Sequence, residues 1–105
     1  MSEASNSPIR YRVSYSEFVR TELVKLLTRA QERGIEAQVR AAAREIDRRL
    51  HIFPQFGDLL ADLSFPSGES RIGTVSPLVL RYALYPEQRL VIVTTPFATL
   101  PHSGL

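Results

Sequence analysis

Arginine is the one residue type in this chain abundant enough to organise chemistry. Twelve of its thirteen basic residues are arginine, Lys25 being the exception. A guanidinium stays charged when partly buried, and its planar fork grips a phosphate or carboxylate through paired hydrogen bonds. Arg10 and Arg12 stand two residues apart, the spacing that puts strand residues on one face. Arg81 lies mid-strand on the side of Val79, Ala83 and Tyr85. Arg10, Arg12, Arg81 and Tyr85 are therefore candidates for a basic binding patch. Arg71 opens another strand-like run. Each has a plainer alternative. Arg10 and Arg12 could be a charged edge that deters strand-to-strand aggregation. Arg81 could pair internally with Asp62 or Glu69, and Arg71 could be a surface charge. The plainer alternative for the arginine bias itself is a GC-rich genome that favours arginine codons.

Histidine titrates near neutrality and suits proton transfer. The chain has two, His51 and His102. His51 falls near the end of a predicted helix, where a cation suits the dipole, and reads as a capping or surface residue. His102 is the remaining candidate proton carrier. Two distant histidines without cysteine make no metal constellation, and no Gly-rich phosphate loop or defensible Ser-His-Asp spacing is present. No cofactor is expected. The absence of cysteine excludes disulfides and leaves cytoplasm as the default location.

The elements that must position these side chains follow from periodicity. Met1 to Pro8 is polar, lacks a secretory pattern and reads as a tail. Ile9 to Tyr15 alternates as a half-buried strand. Ser16 is a candidate N-cap for a helix with an apolar stripe of Val19, Leu23, Leu26, Leu27 and Ala30, ended by Gly34. A second helix is predicted from Glu36 to Phe53, with Val39, Ala42, Ala43, Ile46, Leu50 and Phe53 as its stripe. Pro54 cannot continue it, and Gly57 permits backbone angles closed to other residues. From there the period changes to that of strands: Asp58 to Phe65, Arg71 to Ser76, Leu78 to Tyr85 and Arg89 to Thr95. Pro66 to Glu69 reads as a turn, Pro77 as an edge or reversal, and Pro86 to Gln88 as a hairpin loop. Leu90-Val91-Ile92-Val93 is apolar on both faces and reads as a central strand covered on both sides, at least in part.

These elements predict an α+β fold of order β-α-α-β-β-β-β, an antiparallel helical hairpin packed on one face of a twisted, mostly antiparallel sheet. The predicted organisation is one domain over 9–97 between an N-terminal tail (1–8) and a C-terminal tail (98–105). A chain of 105 residues, 44% hydrophobic and 23% charged, suits one modest core. No apolar run approaches the ~20 residues of a membrane span.

This order resembles the RelE/ParE superfamily of bacterial type II toxin–antitoxin systems, the plasmid stabilisation proteins. Tyr11-Arg12-Val13-Ser14-Tyr15-Ser16, Leu50 followed by Pro54 and Gly57, and Leu80-Arg81-Tyr82-Ala83-Leu84 followed by Leu90-Val91-Ile92-Val93 carry the resemblance. It spans Ile9 to Phe97. It implies a toxin neutralised by an antitoxin-like protein that wraps it. The toxin would act by ribosome-dependent mRNA cleavage without metal, or by binding a target as the branch that poisons DNA gyrase does. If RNA is cleaved, the resemblance assigns charge stabilisation to Arg71 and Arg81 and proton transfer to His102. The sequence departs from the family pattern at Val79, where members often carry arginine, and at the uncharged Leu59-Leu60-Ala61. The rival expectation is a non-toxic binding module, a homodimer included, using an edge at the last strand and the apolar residues Phe97, Leu100 and Leu105.

Overall fold

The protein's structure, a computed structural model, describes residues 10–101. The tail read at Met1 to Pro8, the strand start at Ile9, and the roles considered for His102 and Leu105 fall outside the described residues. In chain order the elements are β1 (Arg12–Ser14), α1 (Glu17–Glu32), α2 (Glu36–Ile52), a 3-10 turn (Pro54–Phe56), β2 (Asp58–Ser64), β3 (Ser67–Val75), β4 (Leu78–Tyr85), β5 (Leu90–Val93) and β6 (Ala98–Thr99). The fold is α+β, and β-α-α-β-β-β-β is followed by one short extra strand.

Local chemistry explains the helix ends. The Ser16 hydroxyl accepts from the Val19 amide at 3.1 Å, capping α1 where its first amides lack partners. At the other end Gly34 sits at φ 75°. The Gly34 amide donates to Gln31 and the Ile35 amide to Ala30, a Schellman closure that only a residue tolerant of positive φ forms cheaply. Three residues then separate the helices, so they pack as a hairpin. Phe53, expected in the α2 stripe, is instead the C-cap and 56% exposed. Its backbone has left the helix, so the 3.6-residue period no longer places it.

The strands run β1-β5-β4-β3-β2 across the sheet. β2 to β5 form an antiparallel meander, and β1 pairs in parallel with β5. β6 continues the β5 side of β4, pairing Leu78 with Thr99 and Val79 with Ala98. The stretch read as a C-terminal tail without periodicity thus opens with a strand, too short to show a period. β3 begins at Ser67, four residues before the predicted Arg71, because the reversal is confined to Phe65-Pro66 and Ser67 already pairs with Ser64. A second proline, Pro77, occupies the reversal into β4.

The core lies between the helices and one sheet face. Val19, Leu26 and Ala30 of α1 and Val39, Ala42, Ile46 and Leu50 of α2 meet Leu78, Leu80, Tyr82 and Leu84 of β4 and Val91 and Val93 of β5. α2 makes the close approach to β1, β3 and β4. Phe97 is buried in the same core, so it is no exposed dimer contact. Nor is β5 an edge, since β1 covers it. Among the described elements the sheet's outer edges are β1 and β2, with the two-residue β6 a short third edge beside β4. β5 is a central strand, between β1 and β4; Val91 and Val93 are buried on the helix side, while Leu90 is half-buried and Ile92 37% exposed, so its other face is covered only in part.

Candidate binding face on the open side of the sheet

Register decides which side chains share the face turned away from the helices. Directly paired residues project to the same side of a sheet, and alternate residues to opposite sides. Leu80, Tyr82 and Leu84 point into the core, so Val79, Arg81, Ala83 and Tyr85 point the other way. Leu90 pairs with Tyr85 and with Arg12, and Ile92 pairs with Ala83 and with Ser14. Arg12, Ser14, Leu90, Ile92, Arg81, Ala83 and Tyr85 therefore share the open face, as anticipated for Arg12, Arg81 and Tyr85.

Within that face Arg12, Ile92 and Arg81 form a diagonal, one strand and two residues apart at each step. Strand spacing and rise put roughly 16 Å between the Arg12 and Arg81 Cα atoms. Both arginines are exposed. Neither guanidinium group is in a hydrogen bond or ion pair among the described residues. The Tyr85 ring is half-buried across Gly68, where a Cβ would come within 2.6 Å of its Cδ1. It thus offers a face beside the Arg12 row. Beneath Arg12 is a hollow of about 450 Å³ lined also by Ser14, Tyr15, Leu90, Ile92 and Arg20. Arg20, on the first turns of α1, was not a candidate from sequence. Its only signal was its place off the apolar stripe. Arg10 precedes β1, is exposed, and has no register partner.

Arg71 lies elsewhere. It pairs with Tyr82 and so points to the helix side of the sheet. Its Nε donates to Glu69 at 2.8 Å, and its Nη1 donates to the Gln55 and Gly57 carbonyls. With 15% side-chain exposure, it ties the 3-10 turn to β3. The structure does not bring Arg71 and Arg81 to one site. Glu69 is taken by Arg71, and Asp62 pairs with Glu69 on the helix side, which removes both ion-pair partners considered for Arg81.

Tyr82, Tyr15, His51 and the ion pairs along α2 act in the scaffold. Tyr82 is fully buried, accepts from the Gly57 amide at 3.1 Å, and donates to the Pro54 carbonyl. Burial pushes its phenol up to about 12. Tyr15 donates to Asp47, and burial followed by that carboxylate raises its phenol well above the usual range. His51 Nδ1 lies 2.8 Å from the Asp47 carbonyl, within its own helix. Along α2, Arg40 pairs with Glu36, and Arg48 and Arg49 pair with Glu45. Those two arginines hold the Glu45 carboxyl down at about 2. Among the described residues no group of three or more metal-ligating side chains gathers, and no helix is long and apolar enough to cross a membrane.

Comparison with known proteins gave no match: no family model, curated protein or solved structure matches the chain.

Proposed function

We propose that this chain is a RelE/ParE-like toxin component that works by holding an anionic target on its open sheet face. The observation carrying the proposal is the Arg12–Ile92–Arg81 diagonal, two exposed guanidinium groups unpaired among the described residues, flanking apolar surface. Phosphodiesters and carboxylate-bearing partners both suit such a surface. Tyr85 adds a ring on which a base can stack. Binding is favoured over cleavage because Arg71, the other arginine wanted for charge stabilisation, serves the opposite face. An antitoxin-like protein would neutralise the chain by covering the diagonal.

Induced expression without a neighbouring gene product tests this. The expected result is growth arrest, relieved by Arg12→Ala or Arg81→Ala with folding unchanged. Free growth on expression of the intact chain overturns the toxin reading.

A second reading, a non-toxic protein-binding module, is favoured by β2. That edge strand exposes Leu59 (50%) and Leu60 (47%), and Phe65 beside it is 98% exposed. An extended segment of a partner, or of a second copy, would pair there by strand addition. Size-exclusion chromatography coupled to light scattering checks the self-association form of this reading.

A further inference from the structure

The two helices leave a groove of about 320 Å³ on the hairpin, lined by Val19, Leu23 and Leu27 of α1, Ala43 of α2 and Phe97, with arginines around them. Val19, Leu23 and Leu27 recur every fourth residue and form one row along α1. Opposite them α2 offers Ala43, whose methyl group does not fill the space. The volume falls at the low end of small-ligand pockets, roughly 300–1,000 Å³.

The charge of the lining is one-sided. Arg20, Arg40 and Arg44 line the groove against a single acid, Asp47. Asp47 is already engaged, with one oxygen taking the Tyr15 hydroxyl and the other 3.6 Å from His51. Arg40 is shared with Glu36 at 2.6 Å. Arg20 and Arg44 have no ion-pair partner among the described residues, although Arg48 and Arg49 on the same helix as Arg44 both have one. An apolar trough with two uncommitted guanidinium groups at its rim is complementary to a molecule with an apolar body and one anionic end.

We infer that this groove binds a small amphipathic monocarboxylate, its carboxylate on Arg44 and Arg20 and its apolar body along Leu23, Leu27 and Ala43. The site is separate from the open sheet face, on the other side of the protein's main sheet. Arg20 borders both the groove and the hollow beneath Arg12, so occupancy would also draw one cation away from that face.

Calorimetric titration with sodium decanoate, kept below its micelle concentration, tests the inference, with 1-decanol as the uncharged match. Decanoate is expected to bind the full chain. Arg44→Gln and Ala43→Leu, which remove the anion contact and fill the trough, should each weaken binding by about tenfold or more. Arg29→Gln, on α1 outside the groove, should leave it unchanged. Decanol should bind at least about tenfold more weakly than decanoate. Methyl resonances of Leu23 and Leu27 should shift during the titration, a readout that needs no variant. Absence of decanoate binding overturns the inference. So does equal binding of decanol, or affinity indifferent to both groove substitutions. Binding of an acidic amphipathic peptide in place of decanoate would reassign the groove to a protein partner.

Discussion

The hydroxyl of Tyr82 donates to the carbonyl of Pro54, joining the middle of β4 to the turn that ends the helical layer. The same oxygen accepts the Gly57 amide at 3.1 Å. One phenol thus serves two backbone groups buried at the joint between helices and sheet. Phe56 stacks on its ring with centroids 6.0 Å apart, and the Arg49 guanidinium lies 5.3 Å from the far ring's centroid.

Tyr82→Phe keeps the ring but leaves the Pro54 carbonyl and the Gly57 amide without their shared partner. A buried polar group so orphaned costs about 1–3 kcal/mol. Urea unfolding should show a loss of that size, with an unchanged slope. A variant as stable as the parent would show that water reaches both groups.

The raised phenols set an alkaline limit. Tyr82 holds its proton up to about 12 in the folded chain, against 10.0 for an ordinary phenol. Above pH 10 the unfolded chain binds fewer protons than the folded one, so stability falls as pH rises. The contribution is complete below pH 10.0 and lost on approach to pH 12. Unfolding free energies measured across that interval should decline, and less steeply for Tyr82→Phe.

Two glycines should fail for different reasons. Gly57 has an ordinary φ of −79°, but a Cβ there would sit 2.4 Å from the Tyr82 hydroxyl and 2.8 Å from the Ile72 carbonyl. Gly57→Ala should therefore cost about 1–3 kcal/mol through overpacking and weaken the Tyr82 bonds. Gly34 has open space around it but φ of +75°. Gly34→Ala should cost about 1–2 kcal/mol from backbone strain alone. Combining Gly57→Ala with Tyr82→Phe should be non-additive, while Gly34→Ala with Tyr82→Phe should be additive.

The two central arginines should separate stability from binding. Arg71→Ala removes donors from the Gln55 and Gly57 carbonyls and from Glu69, so the melting temperature should fall. Arg81→Ala removes an exposed cation and should leave the melting temperature within error. It should reduce retention on a polyanion column, and do so less at high salt. The reverse pattern would place the functional cation on the helix side.

Sequence by itself determined the helices and their order with the strands. The stripe of α1, the Ser16 cap and the Gly34 stop are local devices, each written in a few neighbouring residues. The strands after Gly57 were legible from the change of period and, for Leu90 to Val93, from a continuous apolar run; the reversal at Pro77 was legible from proline, and the shared face of Arg81 and Tyr85 from alternation. Pairing was not legible. Nothing near Arg12 says that it lies beside Leu90, because that contact joins residues at opposite ends of the chain. Alternation places Arg71 on one of two faces without saying which, and the register with Tyr82 put it on the helix side. Gly57 looked like a backbone requirement, and tertiary contact with Tyr82 made it a requirement for space. β6 has two residues and exists only because β4 extends past β5 and offers free backbone groups there. The groove at Ala43 likewise arises where the hairpin sets a methyl group opposite a row of leucines. Local sequence chose the elements because helix and strand periods are short-range. Which charges gathered, and on which side, depended on contacts between residues far apart along the chain.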